Sequence, residues 1–566
     1  NLRASLFLVT TLLLLALCLQ CCSIPEESPS EVLIEGLPSP QQIADSLSRS
    51  DVMVAKWAIQ DSEVVYSLPE TIDWQKELES LKKINVNHQR FRDRYTVTDT
   101  KIGETRQVRF EANTSGQEVQ KMVFHTIGSR VTYYLVEKHS SSFFSESFIR
   151  FEFEPTSYSL ELKQKINLVF ENRSYVKGLI LPAGDLYQIS FDFGGVKAPV
   201  QAMINFNKTS PSFYILNDSE RVGFNQFHVS GDTFIYHSDH FDSKFRLINI
   251  GDGAWSGEWV NRKNETDQII PVTLKKNIAF RFKPSTVPSH DISGDHALVF
   301  VHSDGTIGSP KVLRLSQHYH YLKGSILTET GDYRYLEGVV RNDSFLLSTM
   351  DGTHAYLIEG RISKDSINGL FYSGPTNPAK WLIDPSKSPE ITAPEKLTNK
   401  TGNERFYFSF PDTNNEVISL SDPAFLNKPV VVSIMGTWCS NCADEAQFLK
   451  EAHHLYHNDG LRIVAIDFEL IADSNRAFAN IKRHVNSLNL DYPVLLGGLK
   501  STKATTHDVF PTLSAVVSYP TMIVLDKHHD IAKIHTGFNG PATGPEVYDS
   551  FRKEYLSLFD SLLKED

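Results

Sequence analysis

From about Val64 to Pro385, apolar and polar residues alternate along the chain. Gln107-Val-Arg-Phe-Glu-Ala, Val131-Thr-Tyr-Tyr-Leu-Val, Phe148-Ile-Arg-Phe-Glu-Phe and Ile166-Asn-Leu-Val-Phe are examples. Period two puts successive side chains on opposite faces of an extended backbone. These runs, rich in β-branched and aromatic residues, therefore predict half-buried antiparallel strands. One helix is predicted early, over Ile72–Lys83, from Trp74, Leu78 and Leu81 at helical spacing with Asp73 near its start. A second β block begins near Lys177, with Ser230-Gly-Asp-Thr, Asp252-Gly, Thr330-Gly-Asp-Tyr and Met350-Asp-Gly-Thr as turn markers. Leu322-Lys-Gly, Leu336-Glu-Gly and Ile358-Glu-Gly repeat one local pattern and predict related hairpins in a meander.

The pattern changes after Pro385. Residues 386–402 are rich in Pro, Lys and Thr and read as a linker. Pro429-Val-Val-Val-Ser-Ile-Met is a nearly continuous apolar run, which suits a strand buried on both faces. Gly436-Thr-Trp-Cys-Ser-Asn-Cys follows, then a helix over Ala443–His457, a strand over Leu461–Glu469 and a helix over Ser474–Leu488. Tyr492-Pro-Val-Leu-Leu-Gly reads as a further strand. Thr521–Asp526 and Ile531–His535 predict a hairpin, and Tyr548, Phe551, Tyr555, Leu558, Phe559 and Leu562 stripe a last helix over Pro545–Lys564.

Composition narrows the class. At about 150 residues per domain, 566 residues suggest several domains. The net charge of −12 argues against a partner that presents phosphates, because nucleic-acid binding needs a cationic footprint. An apolar fraction of 41% is enough for sizeable cores and argues against wholesale disorder.

The five cysteines are distributed unevenly. Cys18, Cys21 and Cys22 lie near the start, and Cys439 and Cys442 stand alone more than 400 residues later. A disulfide-stapled scaffold and a four-cysteine zinc site are both excluded for the mature chain. His290, His296 and His302 lack zinc-type spacing. Leu2–Gln20 is almost wholly apolar after Arg3 and reads as an export signal. The chain starts at Asn1, so the charged region ahead of the apolar stretch is expected to be cut short. Leu19-Gln20-Cys21-Cys22 looks like a lipobox, with Cys22 as the acylated residue and Cys21 where Ala or Gly is usual. Ser23–Pro40, rich in Pro, Ser and Glu, opens a tether that is expected to run over 23–60.

A Cys-x-x-Cys between a strand and a helix has a physical purpose. Cys439 falls at the helix N-terminus, where the partial positive charge stabilises a thiolate. The thiolate is the species that attacks a disulfide, and Cys442, one turn on, is placed to resolve the product. A zinc knuckle would need two more ligands, and His453, His454 and His457 lie too far along the helix. A purely structural disulfide is strained at this spacing.

Trp438-Cys-Ser-Asn-Cys, Glu445 and Ser518-Tyr-Pro-Thr occur in the order of one family, and residues 403–566 resemble the TlpA/ResA-like thioredoxin-fold thiol–disulfide oxidoreductases. Ile534-His-Thr-Gly-Phe-Asn-Gly-Pro and the β segments Leu347–Gly352 and Gly369-Leu-Phe-Tyr-Ser-Gly also look like TlpA-type lipoproteins of Bacteroidetes-type bacteria. The resemblance implies an attacking Cys439, a resolving Cys442, a shielding indole at Trp438 and a cis-proline at Pro520 beside Cys439. Ser433 stands where thioredoxins keep a buried Asp, so the proton carrier must be another group. Glu445 and Glu469 are the candidates, since a buried Glu with a raised pKa suits the task.

The expected architecture is multidomain: a β-rich antiparallel N-terminal region followed by a C-terminal α/β thioredoxin-like domain. Its parts are a leader over 1–22, the tether, β domains over 61–176 and 177–385, the linker, and the redox domain over 403–566. The expected activity is disulfide reduction on the periplasmic side of a bacterial envelope membrane, through a lipid anchor. Disulfide-bearing proteins are the substrates, a membrane thiol carrier is the electron donor, and no nucleic acid takes part. No separate cofactor is implied beyond the cysteine pair, and the residues leave the oxidase direction open. In a second reading the β region is a surface module binding glycan or protein, with an auxiliary redox domain. A peroxidase of the peroxiredoxin type fits poorly, because Thr437-Trp-Cys-Ser-Asn-Cys lacks that family's lone cysteine in a Pro-led loop.

Overall fold

The computed structural model describes residues 32–565 apart from positions 50–51, 61–62, 83, 85, 143, 167–169, 208, 285–287, 289 and 365. The apolar leader and Cys22 lie outside the described residues. The chain divides into two compact units, one ending at Leu186 and one beginning at Tyr187.

In the first unit, nine strands between Met53 and Leu181 form one antiparallel sheet, with Met53–Gln60 paired to Phe170–Leu181. Ile43, Trp74, Leu78 and Leu81 pack on Val108, Phe110, Phe124 and Tyr134 of that sheet. Four sequence expectations change here. The helix expected over Ile72–Lys83 is two short ones, Trp74–Glu77 and Glu79–Lys82, the first capped by the Asp73 carboxylate. The described part of the expected tether contains the helix Pro40–Ser48 and a sheet strand, so that stretch belongs to the folded unit. The expected border at 176/177 falls inside the strand Phe170–Leu181, because alternation looks the same on both sides of it. Ile166 and Phe170, expected on one strand, are antiparallel partners on two.

The second unit holds two β assemblies and a mixed sheet. Nine strands between Asp185 and Lys276 form an antiparallel sheet. The strands between Gly294 and Ile383 close into a barrel, because Lys311–His318 pairs with Tyr321–Thr328 as well as with Gly294–Val301. The three glycine-centred segments lie on barrel strands Tyr321–Thr328, Leu336–Arg341 and Ala355–Ile362. Leu298, Leu313, Leu322, Leu347, Ile358 and Trp381 fill a buried core within this barrel. Phe191, Phe213 and Trp259 of the open sheet pack on Val339, Met350 and Leu357 of the barrel. Each large apolar side chain fully buried this way contributes roughly 1.5–3 kcal/mol.

The C-terminal part is a five-stranded mixed sheet. Its central strand β1 (Val430–Met435) is buried at every position. It lies parallel to β2 (Arg462–Phe468), which is parallel to β3 (Val494–Gly498). On its other side β1 is antiparallel to β4 (Thr521–Leu525), which pairs with β5 (Ile531–Thr536). The helices are α1 (Ser440–Tyr456), α2 (Ser474–Leu488), α3 (Lys503–Val509) and α4 (Pro545–Lys564). The expected linker is partly built in. Thr398 is buried and its hydroxyl accepts a hydrogen bond from Thr536 at 2.8 Å, while Lys400 bridges to Leu513. Among the described residues no helix is long and apolar enough to cross a membrane, and no group of three or more His, Cys, Asp or Glu is arranged to hold a metal ion.

Candidate active site

The site grows out of the junction between β1 and α1. The apolar run of β1 ends at Met435, and the chain turns through Gly436-Thr-Trp before α1 begins. Gly436 is needed there, since a Cβ at that position would lie 2.4 Å from the Trp438 indole nitrogen. Cys439 is the N-cap of α1, and its Sγ accepts the Cys442 N–H at 3.2 Å. Cys439 and Cys442 are joined as a disulfide with Cα atoms 5.3 Å apart. The helix dipole and the donated N–H both favour negative charge at the Cys439 sulfur once the bond is reduced.

Two further segments complete the rim. The Tyr519–Pro520 bond is cis, and the Tyr519 carbonyl oxygen lies 3.5 Å from Cys439 Sγ. Trp438 donates its indole N–H to the Phe468 carbonyl at 3.0 Å and meets the Tyr519 ring edge-on at 5.4 Å. The sequence-predicted Trp438, Cys439, Cys442 and Pro520 therefore come together.

Glu445 lies one turn beyond Cys442 on α1 and is fully buried. Ser433, on β1, donates its hydroxyl to Glu445 Oε2, while Oε1 has no hydrogen-bond partner among the described residues. Burial pushes the Glu445 carboxyl up to about 8, against the opposing Ser433 hydrogen bond. A helix carboxyl and a strand hydroxyl thus pair at the strand position where the sequence lacks an Asp.

Residues 392–550 match the Redoxin family. They form a Redoxin domain. Sequence relatives include the thiol-disulfide oxidoreductase ResA of Halalkalibacterium halodurans, 25% identical over 139 residues that make up 24% of this chain and 69% of that protein. ResA of Bacillus thuringiensis subsp. konkukian is 26% identical over 165 residues, 29% of this chain and 82% of that protein. Among solved structures, the thiol-disulfide oxidoreductase from Bacteroides fragilis aligns with 25% of this chain and 94% of its own, at 21% identity and a TM-score of 0.20. The Redoxin domain is of the thioredoxin/ResA thiol–disulfide oxidoreductase type.

The second expected acid, Glu469, follows the end of β2 and belongs to a different cluster of the Redoxin domain. Thr437 donates its hydroxyl to Glu469, and Asn480 of α2 donates at 3.2 Å. Thr437 also donates its backbone N–H to Asp467 at 2.9 Å. Asp467 is completely buried, and its second carboxylate oxygen has no partner among the described residues. Burial, then the neighbouring Glu469, raises the Asp467 carboxyl well above its usual range. Burial raises Glu469 as well. Asp467 was missed from sequence. The available signal was its position two before Glu469 in the strand expected over Leu461–Glu469, where alternation puts both on one face.

The Glu445 shift has a sign that can be measured. Its value of about 8 in the folded protein lies above the ordinary 4.5, so the native state keeps a proton that the unfolded chain has released. This group's contribution to stability is complete below pH 4.5 and declines as pH rises toward about 8. Glu445→Gln removes the titration. Its melting temperature relative to wild type is expected to be higher at about pH 8 than at about pH 5. A constant difference across that window would count against the buried, protonated acid.

Proposed function

We propose that this protein is a membrane-anchored, extracytoplasmic thiol–disulfide oxidoreductase that reduces protein disulfides, with Cys439 attacking and Cys442 resolving. The observation that carries the proposal is Cys439 at the N-cap of α1, 3.5 Å from the carbonyl that precedes the cis-proline. A backbone segment at that point offers hydrogen-bonding groups beside the sulfur to an extended substrate. The ResA relatives support the reaction class. The apolar leader and Cys22 support export and the lipid anchor.

The cycle balances as follows. The Cys439 thiolate attacks one sulfur of a substrate disulfide, forms a mixed disulfide and expels the other sulfur as a thiolate. The Cys442 thiol loses its proton to a base, a role Glu445 fills only in its ionised form, and its thiolate attacks Cys439 Sγ. The Cys439–Cys442 disulfide closes, and the second substrate sulfur leaves as a thiol after protonation. Two electrons have passed to the substrate. An external dithiol, supplied in the cell by a membrane thiol carrier, restores the pair.

The test is to express full-length Cys442→Ser in a bacterial envelope and isolate mixed disulfides. Proteins linked through Cys439 are expected in the membrane fraction, and Cys22→Ala is expected to remove both palmitate label and membrane retention. Recovery of no Cys439-linked protein overturns the assignment, and a palmitate label that persists in Cys22→Ala overturns the anchor.

A further inference from the structure

Each loop framing the disulfide is held by the barrel. The chain between barrel strands Tyr321–Thr328 and Leu336–Arg341 forms a hairpin against the redox face. Asn441, between the two cysteines, donates to the Asp332 carbonyl at 3.2 Å, and Arg334 donates to the Ser440 carbonyl at 3.3 Å. Ser518, just before Tyr519, donates its hydroxyl to the Thr330 carbonyl at 2.9 Å. The Gly540 N–H donates to the Asp332 carboxylate at 2.6 Å. On the other side, Thr353 donates to the Trp438 carbonyl at 3.2 Å.

The fit leaves no slack. A Cβ on Gly331 would stand 2.0 Å from Asn441 Nδ2 and 3.1 Å from the Phe538 carbonyl. Ser518 is 2% exposed, Tyr519 8% and Cys439 7%. An incoming disulfide must approach Cys439 Sγ along the S–S axis, and an extended protein substrate must also reach the Tyr519 backbone. The hairpin is bonded to the residues that flank that surface, Ser440 and Asn441 on one side and Ser518 on the other.

We infer that the hairpin from Thr328 to Arg334 determines substrate size at this site. While seated, it admits low-molecular-mass disulfides to Cys439 and holds off disulfides carried on folded proteins, which are exchanged only when it lifts. The inference rests on the oxidoreductase reading and adds a condition to it: protein disulfides are reached only with the hairpin lifted.

The test compares two disulfides, insulin and a small aromatic disulfide, with dithiothreitol as reductant and the full chain as enzyme. Gly331→Val and Asp332→Ala each unseat the hairpin from its own side. In both, insulin reduction is expected to rise about tenfold relative to reduction of the small disulfide, which itself changes by less than about twofold and so reports an intact site. Reduced wild type gives a second measurement. N-ethylmaleimide is expected to label Cys439 much faster than a polyethylene-glycol maleimide does, and the gap is expected to narrow in the variants. An insulin-to-small-disulfide ratio that stays level or falls, or equal labelling of wild type by both reagents, overturns the inference alone. Failure of wild type to exchange the small disulfide overturns the oxidoreductase reading and this inference with it.

Discussion

Replacing Cys439 with serine is expected to lower disulfide exchange by at least about a thousandfold, leaving only the background of the dithiol itself. The reason is specific to this sulfur. It caps α1, receives the Cys442 N–H and lies beside the Tyr519 carbonyl. A serine hydroxyl does not ionise near neutral pH and cannot attack a disulfide. Cys442→Ser should behave differently, because Cys442 is 1% exposed and lies behind the first sulfur. That variant should still form the mixed disulfide and fail to release it. Equal trapping by both variants, or residual turnover in Cys439→Ser, would show that the roles are not divided this way. The assay is reduction of the small aromatic disulfide by full-length protein with dithiothreitol.

The second large effect is on stability. Arg334 is buried where the hairpin, the open sheet and α1 meet, and it pairs with both Glu220 and Asp444. Its side chain is 11% exposed, against 9% for Glu220 and 15% for Asp444. Arg334→Met removes the cation and leaves two buried carboxylates facing each other. The expected cost to the unit from Tyr187 onward is about 3–5 kcal/mol, read from urea unfolding. Adding Glu220→Gln and Asp444→Asn to Arg334→Met should recover much of that loss, because the cost comes mainly from uncompensated charge. A single-variant loss below about 1 kcal/mol would mean that water reaches the cluster and screens it.

These two predictions sit on opposite sides of what could be read from sequence. Cys439 and Cys442 announced their chemistry through spacing and setting, because the Cys-x-x-Cys follows a buried strand and opens a helix. Arg334 carried no such signal. It follows Thr330-Gly-Asp-Tyr, which reads as one more turn in a β meander, and its partners lie 114 residues before it and 110 after it. Glu445 was nominated as one of two equal candidates. The structure places Glu445 on Ser433 of β1, one turn beyond Cys442, and Glu469 in a separate cluster with Thr437 and Asn480.

The sequence by itself determined the local faces. Period two marked the strands, helical spacing marked α2 and α4 to the residue, and the apolar run marked β1 as central. It also isolated a single reactive cysteine pair from all structural disulfides. Only the tertiary structure decided that one β block closes into a barrel, that a strand crosses the expected domain border, and that Asp467 and Glu469 are both held by Thr437. It also decided that a barrel hairpin seats on the redox face. The physical reason is range. Periodicity records which side of an element is apolar, a property of neighbours in the chain, whereas closure, burial of a carboxyl and the seating of a hairpin depend on groups brought together from far apart.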